Sequence, residues 1–232
     1  MNFWQQLPKP ILAVAPMADV TDAAFRRLIA KYSNWDERKN CVMWTEFVAA
    51  DGLMRATPEG REKLMADLIF TDEERPIVAQ LFTSNEEHME QAARLCAELG
   101  FDGIDINMGC PDRTIEKQGC GSAMIKTPDV AGRIIQAAKR GAGDLPVSVK
   151  TRIGYNEDEI DTWIPALLKE QPAALTVHLR TRKQMSKVPA QWEKLAQVVA
   201  LRDELSPETL VLGNGDVLSC EDAGAKGAAA GA

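Results

Sequence analysis

The sequence predicts an α/β chain, a (β/α)8 TIM barrel truncated after its seventh strand. Three observations support this class. Short apolar runs alternate with helix-period patterns seven times along the 232 residues. The runs are fairly evenly spaced, with room between them for the helical crossovers that parallel strands require. No Gly-x-Gly-x-x-Gly follows the first run, which disfavours a dinucleotide-binding sheet.

The first run is Ile11–Ala15, ending at Pro16. Phe25, Leu28, Ile29 and Tyr32 then recur at i, i+3, i+4, i+7, the spacing of an amphipathic helix, with Thr21 as its expected cap. The second run, Val42–Glu46, precedes a polar and helical stretch reaching Arg75, and the third is Ile77–Leu81. Ser84 and Glu87 read as a capping box for a helix whose apolar side is Met89, Ala92, Cys96 and Leu99 and which stops at Gly100. The fourth run, Gly103–Asn107, enters a Gly-rich loop. Thr127-Pro128 opens the next helix with proline where its missing N–H costs nothing. The fifth run is Pro146–Lys150. Behind it, Ile160, Trp163, Ile164, Leu167 and Leu168 share a helical face that Pro165 is expected to kink or restart. The sixth is Ala174–His178, followed by a helix carrying Trp192, Leu195, Val198, Val199 and Leu205, and the seventh is Thr209–Gly213. Beyond Asp216 the sequence is low in complexity and shows no strand pattern. An open seven-stranded barrel would leave two unpaired edges, hence the expectation of truncation.

A content of 45% hydrophobic and 26% charged residues describes an ordinary folded domain. With 27 basic and 34 acidic side chains the net charge is −7, which gives no support to a wholesale nucleic-acid-binding surface. A local one remains open, because residues 180–187 hold four basic residues and no acid. No apolar run approaches the ~20 residues that span a bilayer, and the first ten residues lack the pattern of a secretory signal. No membrane association is expected. The five cysteines are scattered without a CxxC pair, which argues against a zinc ribbon, a thioredoxin-type site or a disulfide scaffold and fits a reducing, cytoplasmic setting. Two histidines and no carboxylate cluster at ligand spacing argue against a catalytic metal. His88, in an acidic helix, reads as solvated surface.

Polar and reactive residues gather where the runs end. They are Pro16-Met17, Glu46, Gln80, Asn107 with Cys110, Lys150 with Arg152, His178 with Arg180, and Asn214-Gly215-Asp216. In a barrel these ends share the face that carries the chemistry. Lys150 suits an anionic ring edge, a phosphate or a Schiff base. Gln80 and Asn107 each offer a donor and an acceptor, as reading a uracil-like or flavin-like amide edge requires. His178 can donate to a ring nitrogen or carbonyl, or be a satisfied core histidine. Gly213-Asn214-Gly215 occupies a common phosphate-cradling position. Cys110 lies in an irregular loop between Gly109 and Pro111, where packing gives little reason for a thiol. Cys120, in the same loop, ranks second.

Ala15-Pro16-Met17-Ala18, Val20-Thr21-Asp22, Phe25-Arg26, Asp105 to Pro111 (DINMGCP), Val149 to Gly154 (VKTRIG), Val177-His178 with Arg180-Thr181-Arg182, and Gly213 to Asp216 occur in order over residues 11–217. This ordered set resembles the tRNA-dihydrouridine synthases. The resemblance implies an FMN-dependent oxidoreductase that reduces uridine in tRNA to 5,6-dihydrouridine, with NADPH as electron donor, NAD(P)H and tRNA as partners, and Cys110 as general acid. It further implies that Pro16, Met17, Gln80, Lys150, His178, Asn214, Gly215 and Asp216 bind the cofactor, and that Asn107, Arg152, Arg180 and Arg182 face the substrate. On this basis residues 1–217 are an incomplete FMN-binding barrel domain. Residues 218–232 are a low-complexity tail starting the missing last β/α unit, and a C-terminal helical tRNA-binding domain is absent. The sequence departs from the family pattern at Leu179, Met185 and Cys120, and by lacking the later Gly-Arg phosphate motif. The neighbouring alternative is a flavin barrel acting on a free small molecule of dihydropyrimidine or dihydroorotate type.

Overall fold

Parallel strands covered on both faces read as near-continuous apolar runs, and all seven expected runs form strands. In the computed structural model, which describes residues 2–33 and 40–230, these are β1 (Leu12–Val14), β2 (Cys41–Ala49), β3 (Ile77–Phe82), β4 (Gly103–Met108), β5 (Val147–Arg152), β6 (Ala174–His178) and β7 (Leu210–Asn214). The sheet order is β1-β2-β3-β4-β5-β6-β7. The pairs β1/β2, β2/β3, β5/β6 and β6/β7 are parallel. Sequential parallel order with helical crossovers is the strand order of a (β/α)8 barrel, here with seven strands among the described residues. The helices are α1 (Ala23–Tyr32), α2 (Ala50–Arg55), α3 (Pro58–Ala66), α4 (Glu86–Glu98), α5 (Arg113–Glu116), α6 (Pro128–Ala142), α7 (Ile160–Leu168), α8 (Leu195–Leu205) and α9 (Cys220–Ala230). Helix α9 falls in the segment read as a low-complexity tail, whose last two residues lie outside the described ones. No described helix is long and apolar enough to cross a membrane.

The chain forms two compact units, residues 1–105 with 137–147 and residues 106–136 with 148–232. In the first unit the core is built on Trp44, Met43, Ile77, Leu81 and Met89, all essentially inaccessible. Trp4 packs against Phe3 and Trp44 with ring centroids 4.7 and 5.6 Å away. The unit also buries an ion pair. Arg26 Nε donates to Glu74 Oε2 at 2.7 Å, and both side chains are fully buried. The remaining guanidinium nitrogens donate to the carbonyls of Thr21 (2.7 Å) and Ile69 (2.6 Å). Turning Arg26 inward rotates α1 away from the expected face. Arg26 and Ala30 are buried, whereas Leu28 and Tyr32 are 56% and 74% exposed.

Two expected caps move by one residue. Asp22, not Thr21, caps α1 by accepting from Phe25 N, and Asn85, not Ser84, caps α4 by accepting from His88 N. His88 is not solvated surface either. Its Nδ1 pairs with Asp51 Oδ1, which also accepts from the buried Thr83 hydroxyl at 2.9 Å. Helix α6 approaches α4 so closely that a Cβ on Gly141 would lie 2.0 Å from Glu90 O. Gly141→Ala is therefore expected to cost about 1–3 kcal/mol or more through forced backbone displacement, read as a lower denaturation midpoint.

In the second unit Trp163 Nε1 donates to Thr151 Oγ1 at 2.8 Å, and that hydroxyl lies 3.1 Å from Met108 O. This ties α7 to β5 and β5 to the end of β4. Helix α7 runs unbroken through Pro165 rather than restarting there, and the helix still buries Ile164, Leu167 and Leu168.

Candidate active site

In the first unit, the Pro16-Met17 turn after β1 is closed by Thr21. Met17 N donates to Thr21 Oγ1 at 3.0 Å, and that hydroxyl lies 3.1 Å from Met17 O. The turn leaves Met17 42% exposed. Gln80 is wholly buried in β3. Its Nε2 donates to Asp105 Oδ2 at 2.6 Å. Its backbone N donates to Thr45 Oγ1 at 3.0 Å, at the irregularity where the β2/β3 register shifts. Glu46, within β2 rather than after it, accepts from Asp19 N. Burial and the carboxylates of Asp67, Asp19 and Asp22 raise its pKa despite that bond.

The second unit brings together most of the expected set. Residues paired across parallel strands present their side chains on one face. Lys150 pairs with Thr176, while Arg152, His178 and Asn214 stand in one row across β5, β6 and β7. Lys150 Nζ donates to Asn214 Oδ1 at 3.1 Å. Arg152 is nearly buried, donating to the carbonyls of Gly109 (2.7 Å), Thr181 (3.3 Å) and Met185 (3.3 Å). Burial pushes its guanidinium down to about 10, with Arg180 and Arg182 adding to the fall, so it stays charged at neutral pH.

Asn107 holds the thiol loop. Its Oδ1 accepts from Gly109 N at 3.2 Å and Cys110 N at 2.9 Å, a side chain standing in for a turn. Gly109 sits where a Cβ would meet the Thr151 backbone at 3.2 Å. On the far side of the loop, Ser122 N donates to Cys110 O at 2.9 Å. Ser122 Oγ lies 2.9 Å from the same carbonyl and 3.0 Å from Glu116 Oε1. Gly121, at φ +60, permits this approach, because a Cβ there would lie 2.6 Å from Cys110 O. Glu116 in turn accepts from Arg182 Nε at 2.9 and 3.1 Å. Burial raises its carboxyl, but Arg182, Tyr155 and Ser122 outweigh that and hold it below the usual carboxylate range.

The resulting thiol is partly buried. Burial pushes its pKa up. The Asp112 N–H, Arg152 and Lys150 work the other way and lose. Cys110 is accordingly a neutral thiol at physiological pH, the form that gives a proton rather than the form that attacks. His178 is driven down to about 3, first by burial and then by Arg152, Lys150 and Arg180, with Asp216 opposing. A neutral imidazole and a neutral thiol with no hydrogen bond described between them do not make a Cys–His nucleophile pair.

Arg180 and Arg182, expected to face a substrate, pair with Asp216 and Glu116. Arg182 also lies over the Tyr155 ring, 5.2 Å from its centroid, while Lys126 lies 4.2 Å from it. Glu116 and Ser122 escaped the sequence reading, although both lie in the Gly-rich stretch already noted after Cys110. Ser122→Ala is expected to loosen the loop, so that Cys110 reacts several-fold faster with iodoacetamide at neutral pH. Peptide-resolved mass spectrometry separates this from the exposed Cys220.

Among the described residues no group of three or more His, Cys, Asp or Glu could hold a metal ion. The residues present do suit a flavin mononucleotide. Lys150 is a partly buried cation, His178 a neutral ring with one N–H, and Gly215, at φ +116, leaves backbone bare where a Cβ would come within 3.1 Å of His178 Cδ2.

A family model described as Dihydrouridine synthase (Dus) matches residues 13–232. The chain is 45% identical over 217 residues to a "Probable tRNA-dihydrouridine synthase 2" of Bacillus subtilis (strain 168), covering 93% of this chain and 64% of that one. It is 44% identical over 217 residues to a "Probable tRNA-dihydrouridine synthase" of Staphylococcus aureus (strain COL), covering 93% and 63%. The chain thus spans a little under two thirds of the length of these relatives. A solved structure, "X-structure of a variant of NCR from zymomonas mobilis", superimposes with a TM-score of 0.55 at 15% identity over 95% of this chain and 78% of the other, which speaks to the fold alone. The motifs, the strand order and the length of the match agree: this chain belongs to the dihydrouridine synthase family.

Proposed function

We propose that this chain carries the catalytic part of a tRNA-dihydrouridine synthase, a cytoplasmic enzyme that uses FMN, with NADPH as electron donor, to reduce a uridine of tRNA to 5,6-dihydrouridine. The observation that carries the reading is Cys110. Its thiol is kept neutral by burial in a loop pinned by Asn107 and Ser122, while Lys150 and Arg152 are the cations that influence it. Family membership and the names of the relatives support the substrate class.

Saturating the C5–C6 bond of uracil needs a hydride at one carbon and a proton at the other. FMN, when bound, would supply the hydride equivalent for C6, with NADPH as the electron source. Cys110 Sγ–H gives its proton to C5 and is reprotonated from water. In this reading Lys150 would help hold the cofactor with a fixed positive charge. Pro16, Met17, Gln80, His178, Asn214, Gly215 and Asp216 complete the cofactor set. Asn107 and Arg152 face the base, which must leave the tRNA stack to be reached. Their hydrogen bonds also set the thiol loop, so substrate contact and proton delivery share one frame. Arg180 and Arg182, paired with Asp216 and Glu116, complete the proposed substrate-facing set.

The test is turnover with unmodified tRNA and NADPH in the parent-length protein. Dihydrouridine formed in tRNA, with little product from free uridine, supports the proposal. Product from free pyrimidines alone favours a small-molecule flavin enzyme.

A further inference from the structure

Buried arginines are costly unless every donor has work to do, and Arg180 is 5% exposed. Its Nε donates to Val188 O at 2.6 Å. Its Nη2 is shared by both Asp216 oxygens at 2.5 Å. Its Nη1 lies 3.0 Å from His178 Nε2. A guanidinium has five donors, no acceptor, and does not deprotonate in proteins. At that separation the imidazole Nε2 must accept. A neutral imidazole has one N–H and one acceptor nitrogen, so the proton resides on Nδ1.

We infer that Arg180 is a positioning residue that locks His178 as its neutral Nδ1–H tautomer, so that Nδ1–H is the only ring donor left for a bound ligand. Asp216 is the anchor of the lock. It orients the guanidinium by a two-oxygen pairing and is itself held by Ala190 N at 2.8 Å. Gly215 makes room, because a side chain there would begin 3.2 Å from His178 Nε2.

The charged groups around the ring act in the same direction. Lys150, Arg152 and Arg180 all disfavour an imidazolium, and the one opposing anion, Asp216, is paired with Arg180. An imidazolium would also set an N–H against the arginine N–H. The ring should therefore offer a ligand a neutral donor at every pH at which the protein is folded and active, suited to a carbonyl, ring nitrogen or phosphate oxygen. That His178 meets the cofactor rests on the proposed function. The tautomer does not.

The chain has two histidines, so nitrogen-15 NMR of histidine-labelled protein resolves each ring, with His88→Gln providing the assignment. The expected result on the 232-residue chain, without cofactor or tRNA, is a His178 signal pair with Nδ1 protonated and Nε2 bare, unchanged between pH 8 and pH 5. Arg180→Met should lose the Nδ1–H signal in favour of the Nε2–H tautomer. Arg180→Lys, which keeps a donor, should restore Nδ1–H. An Nε2–H tautomer in the parent chain would overturn the inference without any variant, as would Arg180→Met retaining Nδ1–H. Because no turnover is measured, failure of this lock and failure of the dihydrouridine synthase reading are separate outcomes.

Discussion

Cys110→Ala is expected to retain flavin reduction by NADPH and to lose about 10²–10⁴-fold in dihydrouridine formation, the span over which a positioned general acid contributes. The thiol lies in a loop fixed from both sides, by Asn107 Oδ1 on its backbone N–H and by Ser122 on its carbonyl. Removing Sγ therefore deletes the proposed proton source without deleting the loop. Water is the replacement acid, and it lacks both the position and the acidity. Cys110→Ser keeps a hydroxyl in place but with much weaker acidity, so it should recover little. Parallel measurements of NADPH-dependent flavin bleaching and of dihydrouridine in tRNA separate the two half-reactions. An alanine variant that modifies tRNA at the parent rate would remove Cys110 from the mechanism.

The largest stability effect is expected at Arg26–Glu74. Both side chains are fully buried, and the guanidinium serves Glu74, Thr21 O and Ile69 O at once. Glu74 also accepts from Thr71 N at 2.9 Å. Arg26→Ala leaves a buried carboxylate with its main counter-charge gone, since Arg27 Nε is 3.7 Å away and that side chain is 47% exposed. Breaking such a pair typically costs about 3–5 kcal/mol. Chemical denaturation should show the midpoint falling with the slope unchanged. Replacing both partners by apolar residues, Arg26→Met with Glu74→Leu, should recover much of the loss, because the cost lies in the orphaned charge and not in the pair itself. A single variant as stable as the parent would mean that water reaches Glu74.

What the sequence revealed, and what it hid, follows the range of the interaction involved. The strands were legible because parallel strands need continuous apolar runs. Ala174–His178 was placed to the residue, and the others within a few residues of their ends. The face of α1 was not legible. Periodicity favours Leu28 and Tyr32, and nothing near Arg26 in sequence announces Glu74, 48 residues away. The site behaved similarly. Strand-end chemistry named Cys110, Lys150 and His178, and the register of β5 to β7 sets Arg152, His178 and Asn214 in one row. The partners that determine what each group does were hidden by distance, Asp216 lying 36 residues beyond Arg180 and Glu116 lying 66 residues before Arg182. Arg180 and Arg182, noted in the sequence for their charge, also pair with Asp216 and Glu116. Asn107 shows the reverse case, a residue noted for its amide edge whose oxygen acts two and three residues along the chain.

The pH dependence of Cys110 alkylation by iodoacetamide, followed on the Cys110 peptide, tests the neutral-thiol account most directly. Burial outweighs Lys150 and Arg152 here. The midpoint should therefore lie above the ordinary thiol value of about 8.5, with slow reaction at neutral pH and the proton still in place for transfer to C5. A midpoint near or below neutrality, with fast alkylation at pH 7, would identify a thiolate and contradict the assignment of Cys110 as the acid.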